Sequence, residues 1–92
     1  PKEDIFILPK LAKRCLETGL SAPCVLNAAN EAAVKLFLDG KIGFVDIQNI
    51  VSEVLQRESF VKLDDCDKIK NEHFRIYDKV LADYKSILSA LI

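Results

Sequence analysis

The amino-acid sequence predicts an all-α domain, a four-helix bundle-like fold with short connections. Apolar residues recur at helical spacing in four separate segments, which cover about residues 9–18, 22–38, 45–57 and 76–90. Alternation of apolar and polar residues, which would indicate strands, is nowhere sustained between turn residues. Short connections between helices favour antiparallel packing of neighbours.

The first helix is predicted over residues 9–18 by an apolar stripe. The stripe consists of Leu8, Leu11, Ala12, Cys15 and Leu16. Pro9 suits the first turn of a helix, and Gly19 suits the position just after its end. Residues 1–8 are expected to form an incoming linker, and residues 9–92 a single helical domain.

The second helix, predicted over 22–38, is the segment around which the others are expected to pack. It contains no Gly or Pro from Cys24 to Asp39, and Ser21 is expected to cap its start. Four alanines of this run, Ala28, Ala29, Ala32 and Ala33, gather on one side, and the helix is apolar around most of its circumference. Such a helix is normally buried.

A polar stripe formed by Asn27, Asn30 and Glu31 interrupts this apolar helix, on the face that also carries Val34 and Leu38. If the stripe is buried, it needs hydrogen-bond partners, because each unsatisfied buried polar group costs about 1–3 kcal/mol. Two interpretations follow: an internal network that fixes the helix register, or a surface that contacts another domain or a ligand. Chemistry alone favours the internal network.

The connection between the third and fourth predicted helices contains fewer residues that clearly end or begin a helix. In the third helix Asp46 acts either as the N-cap or as an acid of the first turn. The connection over 58–66 is expected to anchor to the core through Phe60, Val61 and Leu63. The fourth helix is clear from residue 76 and could begin near 67. Its possible caps are Asp64, Asp65 and Asp67.

Composition excludes several classes of function. Charged residues make up 29% of the chain and the formal net charge is −1, so no basic block indicates nucleic-acid binding. The apolar runs are too short for a membrane span, and no signal peptide is visible. The three glycines read as helix punctuation rather than as a phosphate-binding loop. We therefore expect no catalytic, cofactor-binding or metal residue in this chain.

Two weaker candidates for chemistry remain, and a structural interpretation is favoured for each. Cys15 or Cys24 could pair with His73 as nucleophile and base, but Cys15 lies on an apolar stripe, where a thiol is usually inert. The acidic run over 64–67 could hold a hard cation, but it lacks the regular ligand spacing of a calcium loop. A capping turn explains it better.

Residues 26–47 read LNAANEAAVKLFLDGKIGFVDI. This segment resembles the 1-deoxy-D-xylulose 5-phosphate reductoisomerase family in three parts: LNAANE, then AV, then FL-x-G-x-I-x-F-x-DI. Pro9 to Ala12 and the Gly-x-x-Ala-Pro from Gly19 to Pro23 also match. The resemblance covers about residues 9–57.

The resemblance implies that this chain is the C-terminal helical domain of a three-part enzyme. The other parts would be an NADPH-binding domain and a central domain that holds substrate and a divalent metal, Mg²⁺ or Mn²⁺. The resemblance also implies that the whole enzyme is a homodimer joined through its central domain. It converts 1-deoxy-D-xylulose 5-phosphate to 2-C-methyl-D-erythritol 4-phosphate in non-mevalonate isoprenoid synthesis. None of the family's catalytic or cofactor residues maps onto this chain.

Two further expectations concern the context of the chain. It starts with Pro and contains no Met, so we expect it to be trimmed or to be a piece of a longer protein. Its partner would then be the central catalytic domain of the same polypeptide, in a bacterial cytoplasm or, alternatively, a plastid-type organelle. The competing hypothesis is a free-standing helical protein-interaction module without an enzymatic partner.

Overall fold

The structure, a computed structural model, describes residues 7–90. Within that range the chain forms four helices and no strand: α1 (Leu8–Thr18), α2 (Ala22–Leu38), α3 (Phe44–Arg57) and α4 (Cys66–Ser89). The predicted all-α fold is confirmed. The expected linker over 1–8 lies mostly outside the described residues, and its last residue, Leu8, already belongs to α1.

Helix α2 occupies the centre of the domain, in contact with each of the other three helices. Its alanine side is wholly buried, as predicted; these residues are Ala28, Ala29, Ala32 and Ala33. Because alanine is small, neighbouring helices can approach the α2 backbone closely. Larger side chains from α3 and α4, among them Ile50, Ile76 and Ile87, fill the space around it.

The link between α1 and α2 is a tight turn with two residues in the left-handed region. Gly19 has φ +70° and its N–H donates to the carbonyl of Cys15 at 2.9 Å, which confirms the predicted helix end. Leu20 follows with φ +53°, a conformation that costs a residue with a Cβ about 1–2 kcal/mol. The turn allows α2 to begin at Ala22.

Ser21 precedes α2 as predicted, but its side chain does not cap the helix. Its hydroxyl is fully buried and accepts the backbone N–H of Val61 at 2.9 Å. The prediction of a capping bond was therefore wrong. The long-range bond forms because the connection between α3 and α4 covers this hydroxyl and brings the backbone N–H of Val61, which needs an acceptor, within reach.

Helix α3 begins at Phe44, one residue earlier than predicted, with Gly43 as its N-cap. Asp46 is the acid of the first turn, and its Oδ2 accepts the N–H of Gly43 at 2.8 Å. In the following connection Phe60 packs against the core, as expected. Val61 is 50% exposed, so its side chain is not the predicted anchor; its backbone N–H, held by Ser21, fulfils that role instead.

Helix α4 begins at Cys66, so the predicted helix over 76–90 is confirmed and its start agrees with the earlier position considered, near 67. Asp65 is the N-cap, and its Oδ1 accepts the N–H of Lys68 at 2.8 Å. The first turns of α4 contain no buried residue before Ile76. Their sequence therefore lacks the apolar periodicity by which a helix is recognised.

Candidate functional site

The polar stripe of α2 lies on the surface of the domain, with Asn27 and Glu31 exposed and Asn30 partly buried. The side-chain amide of Asn27 donates to Glu31 Oε2 at 3.1 Å, one helical turn away. The favoured interpretation, an internal network, is therefore wrong for Asn27 and Glu31. These side chains can reach water, so burial does not force them to pair.

Glu31 is also the point at which the stripe meets α4. Nε2 of His73 lies 3.2 Å from Glu31 Oε2, the same oxygen that accepts from Asn27. The imidazole ring stacks on Tyr77, with centroids 6.2 Å apart and planes 17° apart, and meets Phe74 edge-on at 5.7 Å. The ring is therefore held against α4 while its nitrogen faces α2. No local pattern indicates this partnership, because 42 positions separate His73 from Glu31.

Cys24 and His73, the imagined catalytic pair, line one shallow groove between α2 and α4. This thiol groove has a volume of about 390 Å³, and its lining residues are Cys24, Asn27, Cys66, Ile69, Lys70, His73 and Phe74. Cys24 Sγ lies 3.6 Å from the carbonyl oxygen of Ile69, while the imidazole contacts Glu31. The structure thus pairs each group with a partner other than its proposed catalytic mate.

The chemistry of the thiols also disfavours a nucleophile. Burial raises the pKa of the Cys24 thiol, and the nearby Glu72 carboxylate raises it further. Burial likewise raises the pKa of Cys15, which lies on the buried side of α1. A reactive cysteine needs its pKa lowered, since the thiolate is the nucleophile. Both thiols are shifted in the opposite direction.

The acidic run at the start of α4 is occupied by local contacts. Asp65 caps the helix, and Asp64 pairs with Lys68 Nζ at 2.8 Å. Within residues 7–90 no group of three or more His, Cys, Asp or Glu side chains is placed to hold a metal ion. In the same range no helix is long and apolar enough to cross a membrane.

Sequence reasoning missed an ion cluster that ties the α3–α4 connection to α4. Glu58, whose side chain is only 7% exposed, accepts from Arg75 Nη2 and from Lys79 Nζ, the latter at 2.9 Å. Arg75 also donates to Glu72 at 2.8 Å. Burial alone would raise the pKa of Glu58, but the hydrogen bonds and charges of Arg75 and Lys79 together lower it. The spacing of Arg75 and Lys79 at i and i+4 was the available signal.

A second groove, bounded by α1, α2 and the start of α3, is almost entirely apolar. This apolar groove has a volume of about 150 Å³ and is lined by Leu8, Asn30, Val34, Phe44, Val45, Ile47 and Gln48. Phe44 meets Phe37 of α2 in an edge-to-face contact, with centroids 5.7 Å apart. The α2 stripe is therefore divided, with Asn27 in the thiol groove and Asn30 in the apolar groove.

Comparison with known proteins gives one consistent family. The family model described as "DXP reductoisomerase C-terminal domain" matches residues 1–82, further than the resemblance over 9–57. The 1-deoxy-D-xylulose 5-phosphate reductoisomerase of Pseudomonas fluorescens (strain Pf0-1) is 46% identical over 69 residues, which are 75% of this chain and 17% of that protein. That of Solibacter usitatus is 54% identical over 57 residues, 62% of this chain and 14% of the relative.

These alignments cover only a small part of each relative, so the chain spans less than a fifth of their length. No solved structure matches the chain. The family match nevertheless runs from the residues before α1 into α4 and includes the whole of the alanine-rich helix and its stripe. On this basis the chain belongs to the family of DXP reductoisomerase C-terminal domains.

Proposed function

We propose that this chain is the C-terminal structural domain of a 1-deoxy-D-xylulose 5-phosphate reductoisomerase. The whole enzyme would rearrange and reduce its substrate to 2-C-methyl-D-erythritol 4-phosphate with NADPH and Mg²⁺ or Mn²⁺. The observation that carries the proposal is the family match over residues 1–82, together with relatives named for this activity. In this proposal the domain supports the central catalytic domain and contributes no reacting group.

The contacts of the charged side chains support a structural role. Glu58 and Asp65 hold the connection and the start of α4 in place, and Glu31 joins α2 to α4. Each of these groups is used to position helices. The outward side of α2 remains available, and we assign its stripe of Asn27, Asn30 and Glu31 to contact with the rest of the enzyme. Amide and carboxylate groups at a domain surface suit the polar interfaces found between domains of one chain.

A chimera tests this function. The C-terminal domain of the Pseudomonas fluorescens reductoisomerase is replaced by this chain, and NADPH oxidation dependent on 1-deoxy-D-xylulose 5-phosphate is followed. We expect the chimera to be active, because the chain supplies the packing surface that the catalytic part needs. The truncated enzyme without a C-terminal domain is the matched control, and it should be much less active or less stable.

The isolated chain provides the second control. In calorimetric titrations it should bind neither NADPH nor Mn²⁺ in a saturable manner. Tight, saturable binding of either would contradict the assignment of a domain without chemistry. A folded chimera no more active than the truncated enzyme would contradict the supporting role and would favour a free-standing interaction module.

A further inference from the structure

The apolar groove and the exposed parts of Phe44 and Val45, which line it at the start of α3, together form an apolar face. Phe44 is 59% exposed and Val45 53%. Large apolar side chains that are exposed together are typical of interaction sites. The groove volume of about 150 Å³ is close to that of an apolar cavity known to hold a benzene ring. This face can therefore receive an apolar side chain from a partner.

The polypeptide enters the domain at the rim of this same face. The backbone N–H of Ile7 donates to Gln48 Oε1 at 3.0 Å, a partly buried bond between positions 41 apart. The carbonyl of Ile7 then accepts the N–H of Leu11 at 3.0 Å, which starts α1. Gln48 lines the groove, so the chain is fixed at the groove just before the first helix begins.

We propose that this apolar face is covered by an apolar surface of the domain that precedes it in the same polypeptide. The proposal rests on the proposed function, in which a catalytic part precedes this chain. More than four-fifths of the length of the Pseudomonas fluorescens relative lies outside the aligned region, so a large partner is available. A domain attached close to Ile7 would meet this face at a millimolar effective concentration, which allows even a modest patch to dock.

The thiol groove does not suit an apolar surface of that partner, although its polar groups remain available to a polar part of it. Its rim carries Lys70 and the pair of Glu31 and His73, and covering them with an apolar surface would remove their water. Among residues 7–90 the polar side chains that line the apolar groove are Asn30 and Gln48, and Gln48 already accepts from Ile7. Desolvation therefore favours the apolar face.

The substitution Val45→Asp in the chimera tests the proposal, with Val61→Asp as a matched control. The two valines are similarly exposed, 53% and 50%, but only Val45 lies on the apolar face. Amide hydrogen exchange over residues 34–48 is compared between the chimera and the isolated chain. We expect exchange about tenfold or more slower in the chimera, and Val45→Asp should abolish this protection while Val61→Asp preserves it.

Controls keep loss of docking separate from loss of folding. The melting temperature of the isolated chain should be nearly unchanged by Val45→Asp, because the side chain is exposed and an acid in a first helical turn is favourable. An active chimera in which the two substitutions act alike would overturn this inference and leave the proposed function intact. Dimerisation of the isolated chain that Val45→Asp abolishes would also overturn it, since the occupant would then be a second copy.

Discussion

The two sides of helix α2 differ sharply in burial. On the inner side four alanines have no exposed surface, and α3 and α4 pack directly against them. On the outer side Asn27 and Glu31 are exposed; Asn27 donates a hydrogen bond to Glu31, and Glu31 contacts His73. The inner side determines the fold. The outer side is stable without further partners and is available for contact with another domain.

This difference shows that polar residues on a mostly apolar helix can mark a narrow exposed face. Apolar residues around most of a helix predict burial, but one narrow exposed face is enough to accommodate several polar side chains. Asn27 and Glu31 lie on that face. The predictions below compare the buried side of α2, the ion cluster around the largely buried Glu58, and the surface stripe, in order of decreasing effect.

The largest effect is expected from overpacking the inner side with Ala32→Leu. Ala32 is fully buried between packed helices, so three additional carbon atoms have no space. We expect the free energy of unfolding to fall by about 3 kcal/mol, measured by urea denaturation. Lys35→Leu, which adds a leucine on the exposed surface of the same helix, is the control and should change it by less than about 0.5 kcal/mol. Equal effects of the two substitutions would show that the inner side is not tightly packed.

A smaller effect is expected from Glu58→Gln, which removes the charge at the centre of the ion cluster. Hydrogen bonds to charged groups contribute more than neutral ones, but Arg75 and Lys79 are partly exposed. We expect a loss of about 1–2 kcal/mol at pH 7 in urea denaturation. Glu53→Gln is a suitable control, because Glu53 pairs with Arg57 one turn away on the same helix.

The contribution of Glu58 depends on pH in a defined direction. Its pKa in the folded chain is lowered below the usual value of 4.5, so its stabilisation is fully present above that value. It is lost as the pH falls through the lowered pKa, where the carboxylate of the folded chain becomes protonated. The difference between the original chain and Glu58→Gln should therefore shrink on acidification below about pH 4.5. A difference that is constant from pH 7 to pH 3 would mean that packing, not charge, is responsible.

The smallest effect is expected from Asn27→Ala in the surface stripe. Loss of the bond to Glu31 is offset by the higher helix propensity of alanine, so the free energy of unfolding of the isolated chain should change by less than about 0.5 kcal/mol. Thermal and urea denaturation provide the measurement. A loss of 1–3 kcal/mol, as removal of a buried partner would cause, would restore the internal-network interpretation.

The sequence predicts best those helices that bury one side, because the buried side requires apolar residues at helical spacing. The helices α1, α2 and α3 each present a continuous apolar stripe, and their observed bounds agree with prediction to within one residue. The first ten residues of α4 are held by a cap at Asp65 and by surface ion pairs, and Ile69 and Phe74 remain largely exposed. Without a buried side this part of the helix has no periodic signal, so its start could not be placed.

The long-range polar contacts could not be predicted from the sequence, for a different reason. The bonds of Ser21 to Val61, of Glu31 to His73 and of Glu58 to Arg75 depend on how helices are arranged in space. Local rules assign Ser21 to a cap and give no partner for Glu58. Those rules correctly identify a residue that needs a hydrogen bond, but they cannot choose between a near partner and a distant one.

The most direct test of the central claim compares the rate of NADPH oxidation by the chimera with the rate of the truncated enzyme that lacks a C-terminal domain. If the chain is the supporting domain of a reductoisomerase, joining it to the catalytic part should restore substrate-dependent oxidation to a rate close to that of the intact Pseudomonas fluorescens enzyme. The isolated chain should show no such activity. A correctly folded chimera that stays at the rate of the truncated enzyme would contradict the claim.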